Sequence, residues 1–266
     1  MKRKGLGFLI LGGLILMGFS EPKDESFVSK LDNSKQQYIE LLPDKFDAAK
    51  QHDLMIALHG HGSDRNQYAK DKRDECKGAR DVAEKHNMIF VSPDYRAPTS
   101  WMGPKAEADV VQLLEELKKK YKIGKVIFVG GSMGGTSVLI FASLHPGLVD
   151  GVSAQNPMAN MVEYTNFQDA IAKSYGGDKK NRPEEYKKRS AELNYKSLMM
   201  PVAITTGGKD TSVPPESALR LIKLLQGVKG SNVLSIHREN TGHSTNYKDT
   251  VDALEFVIEK VKKTSK

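Results

Sequence analysis

A β-branched apolar run, Lys125 to Val129, stops at Gly130-Gly131 and gives way to Ser132, two further glycines and an apolar stretch, Thr136 to Ala142, that can continue as a helix. Gly130, Ser132 and Gly134 fit G-x-S-x-G, the strand-to-helix turn that presents a strained serine as a nucleophile. The demand is steric. A serine held in so tight a turn needs near-absent side chains two residues before and after it, and glycine has none. The pentapeptide alone says little, because Gly and Ser crowd many ordinary loops. A buried strand before it and a helix after it turn it into an expectation about chemistry.

Nucleophilic chemistry requires a fold that can hold a strand end rigidly, and 266 residues are ample for one such domain. Hydrophobic content of 39% and charged content of 27% are those of an ordinary globular chain. The N-terminus stands apart. Met1-Lys2-Arg3-Lys4 is basic, Gly5 to Phe19 is uncharged and mostly apolar, and small residues precede Glu21. This is a signal-peptide layout over residues 1–20, implying export to the periplasm or the medium with cleavage near Ser20. An uncleaved N-terminal membrane anchor is the alternative. Loss of three basic residues would lower the net charge from +7 to +4. The remaining Lys and Glu are interspersed, which argues against a nucleic-acid footprint. After cleavage no stable membrane insertion is expected. Cys76, the one cysteine, has no Cys or His companion and reads as structural.

After a polar leader at 21–35, strand-like runs at 37–43, 54–58, 88–91, 125–129, 149–154, 201–206 and 233–236 alternate with helical segments at 66–85, 105–121, 136–142, 214–225 and 245–263. Such alternation predicts α/β architecture, a mostly parallel doubly wound sheet with helices on both faces. The whole of 36–266 reads as one domain. Residues 158–197 are polar, punctuated by Gly176-Gly177 and Pro183, and read as an insertion of short helices and a candidate lid.

Ser132 needs a general base. Of seven histidines, His243 follows the last strand and precedes the closing helix, at the C-terminal end of the sheet where chemistry collects. Asp210 follows the preceding strand and can orient His243 and balance the imidazolium. For the oxyanion hole, Met133 N–H directly follows the nucleophile, and His59-Gly60-His61-Gly62 follows a strand. His61 is the expected second donor, with Gly62 as the alternative. The side chain of His59 reads as a brace for its loop. Tyr95 and Trp101 are candidates for substrate binding; for Trp101, core packing is the equal alternative. No metal and no organic cofactor is called for.

These motifs, in the order Gly-His-Gly loop, Gly-Gly-Ser-Met-Gly-Gly, Gly-Gly-Lys-Asp-Thr-Ser-Val-Pro-Pro and Thr-Gly-His, resemble a serine esterase of the α/β-hydrolase superfamily over roughly residues 36–263. The elbow and Ser100-Trp101-Met102-Gly103-Pro104 make the chain similar to small exported feruloyl and acetylxylan esterases and polyhydroxybutyrate depolymerases. Pro183 to Asp210 is also similar to the catalytic core of the prolyl oligopeptidase family. The resemblance implies an α/β-hydrolase fold and ester hydrolysis through an acyl-enzyme. It also implies a small-molecule or polysaccharide-linked acyl ester as substrate. The alternatives are a prolyl oligopeptidase-like peptidase or acyl-peptide hydrolase, and a non-catalytic binding module on a hydrolase fold.

Overall fold

The computed structural model describes residues 18–264. The expected signal segment lies almost wholly outside them. Among the described residues no helix is long and apolar enough to cross a membrane.

In chain order the elements are β1 (Lys23–Val28), β2 (Lys35–Leu41), β3 (His52–Leu58), α1 (Asn66–Lys70), α2 (Asp74–Lys85), β4 (Ile89–Pro93), α3 (Pro104–Lys120), β5 (Ile123–Gly131), α4 (Met133–Leu144), β6 (Gly151–Gln155), α5 (Gln168–Tyr175), α6 (Pro183–Lys188), β7 (Val202–Gly207), α7 (Glu216–Gln226), β8 (Val233–Arg238) and α8 (Tyr247–Thr264). The strands form a single sheet in the order β1-β2-β4-β3-β5-β6-β7-β8. β2 runs antiparallel to β1 and β4, and every pairing from β4 to β8 is parallel. This is the α/β-hydrolase fold.

The central strands are apolar on both faces because helices cover both. Leu54, Ile56, Val126 and Phe128 pack toward α3 and α4, whereas Met55, Ala57, Ile127 and Val129 pack toward α2 and α8. Continuous apolar runs are what a parallel strand buried on both faces requires. Cys76 lies fully buried in the second of these layers, and burial pushes its thiol up to about 12, so it is inert as a nucleophile at neutral pH.

Two elements depart from the sequence expectation. Residues 23–28 are not leader but the edge strand β1. Lys23, Asp24, Ser26 and Val28 are exposed and only Glu25 and Phe27 are half-buried, with Phe27 set against Tyr38. A short charged strand blunts an open sheet edge, and that composition reads as a leader when the partner strand is not seen. The helix expected over 66–85 is broken in two. Arg80 donates to the carbonyls of Tyr68 (2.5 Å) and Asp71 (2.7 Å), satisfying the end of α1 from a later turn of the chain.

The 158–197 insertion is tied down from inside. Arg189 is fully buried and donates to Glu185 (2.6 Å), Glu107 on α3 (2.6 Å) and the Met102 carbonyl (2.5 Å). Burial alone would raise the Glu107 carboxyl, but His145, Arg189 and Lys188 outweigh it and hold it at about 2. We expect Arg189→Met to cost about 3 kcal/mol, since it removes the buried cation that Glu107 and Glu185 share and leaves the Met102 carbonyl without its donor. For a domain of this size that is a Tm loss of roughly 6–12 °C, read by calorimetry at pH 7. A carboxyl held below its unfolded value stabilises above about pH 4.5 and loses that contribution as the pH falls toward 2. The Arg189→Met protein should therefore show a flatter pH dependence of stability across that window.

Candidate active site

β5 ends at Gly131, α4 begins at Met133, and Ser132 joins them at φ 58°, ψ −121°. Positive φ in a residue with a side chain is strain, and here neighbouring bonds impose it. Ser132 N–H donates to the Gln155 carbonyl (2.8 Å), and the Ser132 carbonyl accepts from the backbone and hydroxyl of Thr136 (2.9 and 3.1 Å). The flanking glycines are required by contact. A Cβ on Gly134 would overlap the Leu58 carbonyl, and one on Gly130 would meet the backbone of Gly134.

Asp210 and His243 stand on the loops after β7 and β8. Asp210 Oδ2 lies 2.6 Å from His243 Nδ1, while Oδ1 accepts from the backbone N–H groups of Ser212 and Val213, each at 2.9 Å. The carboxylate is thus buried, with one oxygen committed to the backbone and the other to the imidazole. Close backbone packing sets this spacing: a Cβ on Gly207 would strike the Gly242 carbonyl and one on Gly208 would strike Glu239. Ser132 and His243 line one cavity of about 290 Å³ together with Gly60, His61, Asn156 and Phe167. No hydrogen bond joins Ser132 Oγ to His243, a contact that in unliganded hydrolases often tightens only when substrate binds. A larger concavity of about 760 Å³ between residues 18–22 and α2 contains none of these groups.

The loop after β3 approaches the elbow from the other side. Gly60 N–H donates to Gln67 Oε1 (2.7 Å) and Gly62 N–H to the Pro98 carbonyl (2.9 Å). Both are spent. Among the described residues His61 N–H meets no acceptor, and Met133 N–H, first in its helix, has no intrahelical one. His59 is fully buried with its ring nitrogens against the carbonyls of Gly60 (2.8 Å) and Asp94 (3.0 Å), so it braces the loop.

The sequence profile of the prolyl oligopeptidase family matches residues 95–264, a span holding Ser132, Asp210 and His243. The chain belongs to that family. It is a serine hydrolase of the α/β-hydrolase fold. No curated protein matches the chain. Solved structures do. A putative dipeptidyl aminopeptidase IV from Bacteroides ovatus superposes with a TM-score of 0.71 at 16% identity, over 92% of this chain and 36% of that one. An S-formylglutathione hydrolase from Agrobacterium tumefaciens gives 0.68 at 16% identity, over 92% and 100% of the two chains. A fluorophosphonate-binding serine hydrolase of Staphylococcus aureus gives 0.68 at 14%, over 92% and 99%. At such identities the likeness is one of fold. The chain spans little more than a third of the Bacteroides peptidase.

For this prolyl oligopeptidase-family domain the structure corrects the expectation for Tyr95 and favours the core-packing alternative for Trp101. Tyr95 and Trp101 are 2% and 0% exposed and do not reach the cavity. Tyr95 O–H donates to the His59 carbonyl (2.6 Å), and burial lifts its phenol well above the ordinary range. Trp101 N–H donates to His61 Nδ1 (3.1 Å). Both are large aromatic residues recruited to hold the β3 loop from behind. Two residues that do face the cavity were not singled out in the sequence. Asn156 follows β6 and donates from Nδ2 to Thr245 Oγ1 (3.0 Å), bracing the loop that carries His243. Phe167 sits at the rim in the left-handed region (φ 55°), 39% exposed. A lone phenylalanine in a polar insertion was the available signal for the second; nothing distinguished the first.

Proposed function

We propose that this domain hydrolyses carboxylic esters through an acyl-enzyme, with Ser132 as nucleophile, His243 as general base and then acid, and Asp210 as the residue that holds His243. The observation that carries the reading is the pairing of His243 Nδ1 with a buried carboxylate in the cavity wall that also exposes a strained serine. Ser132 Oγ attacks the ester carbonyl as its proton passes to His243 Nε2. The oxyanion so formed accepts from the free N–H groups of His61 and Met133. His243 then protonates the departing alcohol, and a water repeats the sequence to release the acid. Gly62, the alternative donor, is disfavoured because Pro98 already holds its N–H. The reaction as written needs no metal or organic cofactor.

The ester reading draws on the two hydrolases matched over nearly their whole length and on a cavity sized for a small acyl ester. Carbohydrate-linked acyl esters are the substrate class proposed from the sequence resemblance, and export is proposed from the basic-apolar start of the chain. Family membership favours a second reading, cleavage of acyl peptides by the same residues. Steady-state rates on p-nitrophenyl acetate and on an acyl-peptide p-nitroanilide separate them. We expect ester turnover to dominate by at least about 100-fold in kcat/KM; amide turnover equal to or above it would install the peptidase reading. A fluorophosphonate probe, whose fluoride Ser132 Oγ displaces at phosphorus, should add its mass less hydrogen fluoride to the peptide containing Ser132.

A further inference from the structure

His61 holds more than a backbone N–H. His61 lines the catalytic cavity, and its imidazole has the ring of Phe167 at 4.5 Å and that of Trp101 at 5.8 Å. Trp101 donates its indole N–H to Nδ1 at 3.1 Å. An indole nitrogen is donor only, so Nδ1 must be the acceptor and the ring proton must sit on Nε2. Trp101 is itself fully buried, packed against Tyr164 and Phe167, and its carbonyl accepts from the Tyr175 hydroxyl (3.1 Å). Burial also holds the His61 imidazole below its ordinary pKa, consistent with a neutral ring. Among the described residues Nε2 has no partner. The result is an oriented, unspent donor on a residue that lines the same cavity as Ser132.

We propose that the His61 imidazole, fixed as the Nε2–H tautomer by Trp101, is a substrate-binding donor that selects esters carrying an oxygen acceptor, an ether or hydroxyl oxygen, close to the scissile carbonyl. Such an acceptor pairs with a group whose orientation is already fixed, so little ordering entropy is lost on binding. A substrate with a methylene at that place leaves Nε2–H desolvated and unpaired, and the site discriminates against it. Phe167 packs against the ring, the two centroids 4.5 Å apart. The inference rests on Ser132 being the nucleophile of this cavity.

Two isosteric pairs test it, one for each side of the ester. On the acyl side, p-nitrophenyl methoxyacetate is compared with p-nitrophenyl butyrate, and on the alcohol side 2-methoxyethyl acetate with butyl acetate. Each rate is divided by the probe's own alkaline hydrolysis rate. We expect the wild-type protein to prefer the oxygen-bearing member of one pair, which identifies the side. His61→Phe, which keeps a ring in the stack, should lower that preference about tenfold, chiefly through KM. Damage to the backbone donor of the same residue would instead lower kcat for both members alike and leave the ratio unchanged. An unchanged ratio for both pairs overturns the proposal. Should His61→Phe fail to fold, nitrogen-15 NMR of the wild-type protein decides the tautomer. A protonated Nδ1 at pH 7.5 overturns the proposal, while an Nε2–H signal that is lost or redistributed in Trp101→Phe supports it. Retained turnover in Ser132→Ala would sink the nucleophile assignment instead, an outcome the His61 tautomer does not affect.

Discussion

Ser132→Ala is expected to lower kcat for p-nitrophenyl acetate by at least about 10⁴-fold, the scale on which removal of a nucleophile acts when the remaining groups supply only residual catalysis. The fold should survive it. The Ser132 contacts that hold the elbow involve its N–H and carbonyl, bonded to Gln155 and Thr136, and alanine retains both. Calorimetry should therefore show a Tm close to wild type. Equal turnover by the two proteins would mean that Ser132 is not the nucleophile, and a binding module on a hydrolase fold would then be the better reading.

Asp210→Asn is expected to cost about 10³–10⁴-fold in kcat with little change in KM or stability, and the hydrogen bonds show why. Oδ1 accepts from two backbone N–H groups, of Ser212 and Val213, so the asparagine oxygen must occupy that position. The amide NH₂ is then directed at His243 Nδ1, where Oδ2 now stands at 2.6 Å. A donor there forces Nδ1 to accept and moves the ring proton to Nε2, the nitrogen that must take the proton of Ser132. The variant should bind substrate normally and fail at proton transfer. A loss of less than about tenfold would remove Asp210 from the catalytic set and leave it as a cap for the loop after β7.

Much of this arrangement was legible because parallel strands buried on both faces leave a strong apolar signature. β3, β5, β6 and β7 could each be placed from composition alone, and with them the strand ends from which Ser132, Asp210 and His61 emerge. The missing parts share a physical cause. β1 is an edge strand, so its residues carry the charge of a surface segment. The end of α1 is satisfied by Arg80 on α2, nine residues beyond Asp71. Trp101 and Tyr95 serve the β3 loop through one polar atom each, and neither distance in sequence nor residue type shows which carbonyl or imidazole a buried aromatic will meet. Asn156 belongs to the same class, since its partner Thr245 lies on the far side of β7 in the chain. Interactions made by single polar atoms across the fold have no periodicity, and periodicity is what a lone sequence displays.

The anchoring of the insertion also bears on how such a domain diversifies. Ser132, Asp210 and His243 are held by backbone contacts among β3, β5, β7 and β8, whereas Phe167 arrives on 158–197, fastened through Arg189 to the start of α3. The reactive groups and one wall of the pocket are therefore inherited on separate stretches of chain. Exchange of the segment between β6 and β7 can reshape what the cavity admits, provided the replacement brings its own cation to meet Glu107 and its own donors for the Thr211 and Ser212 carbonyls beside Asp210, which Asn166 and Tyr164 now meet.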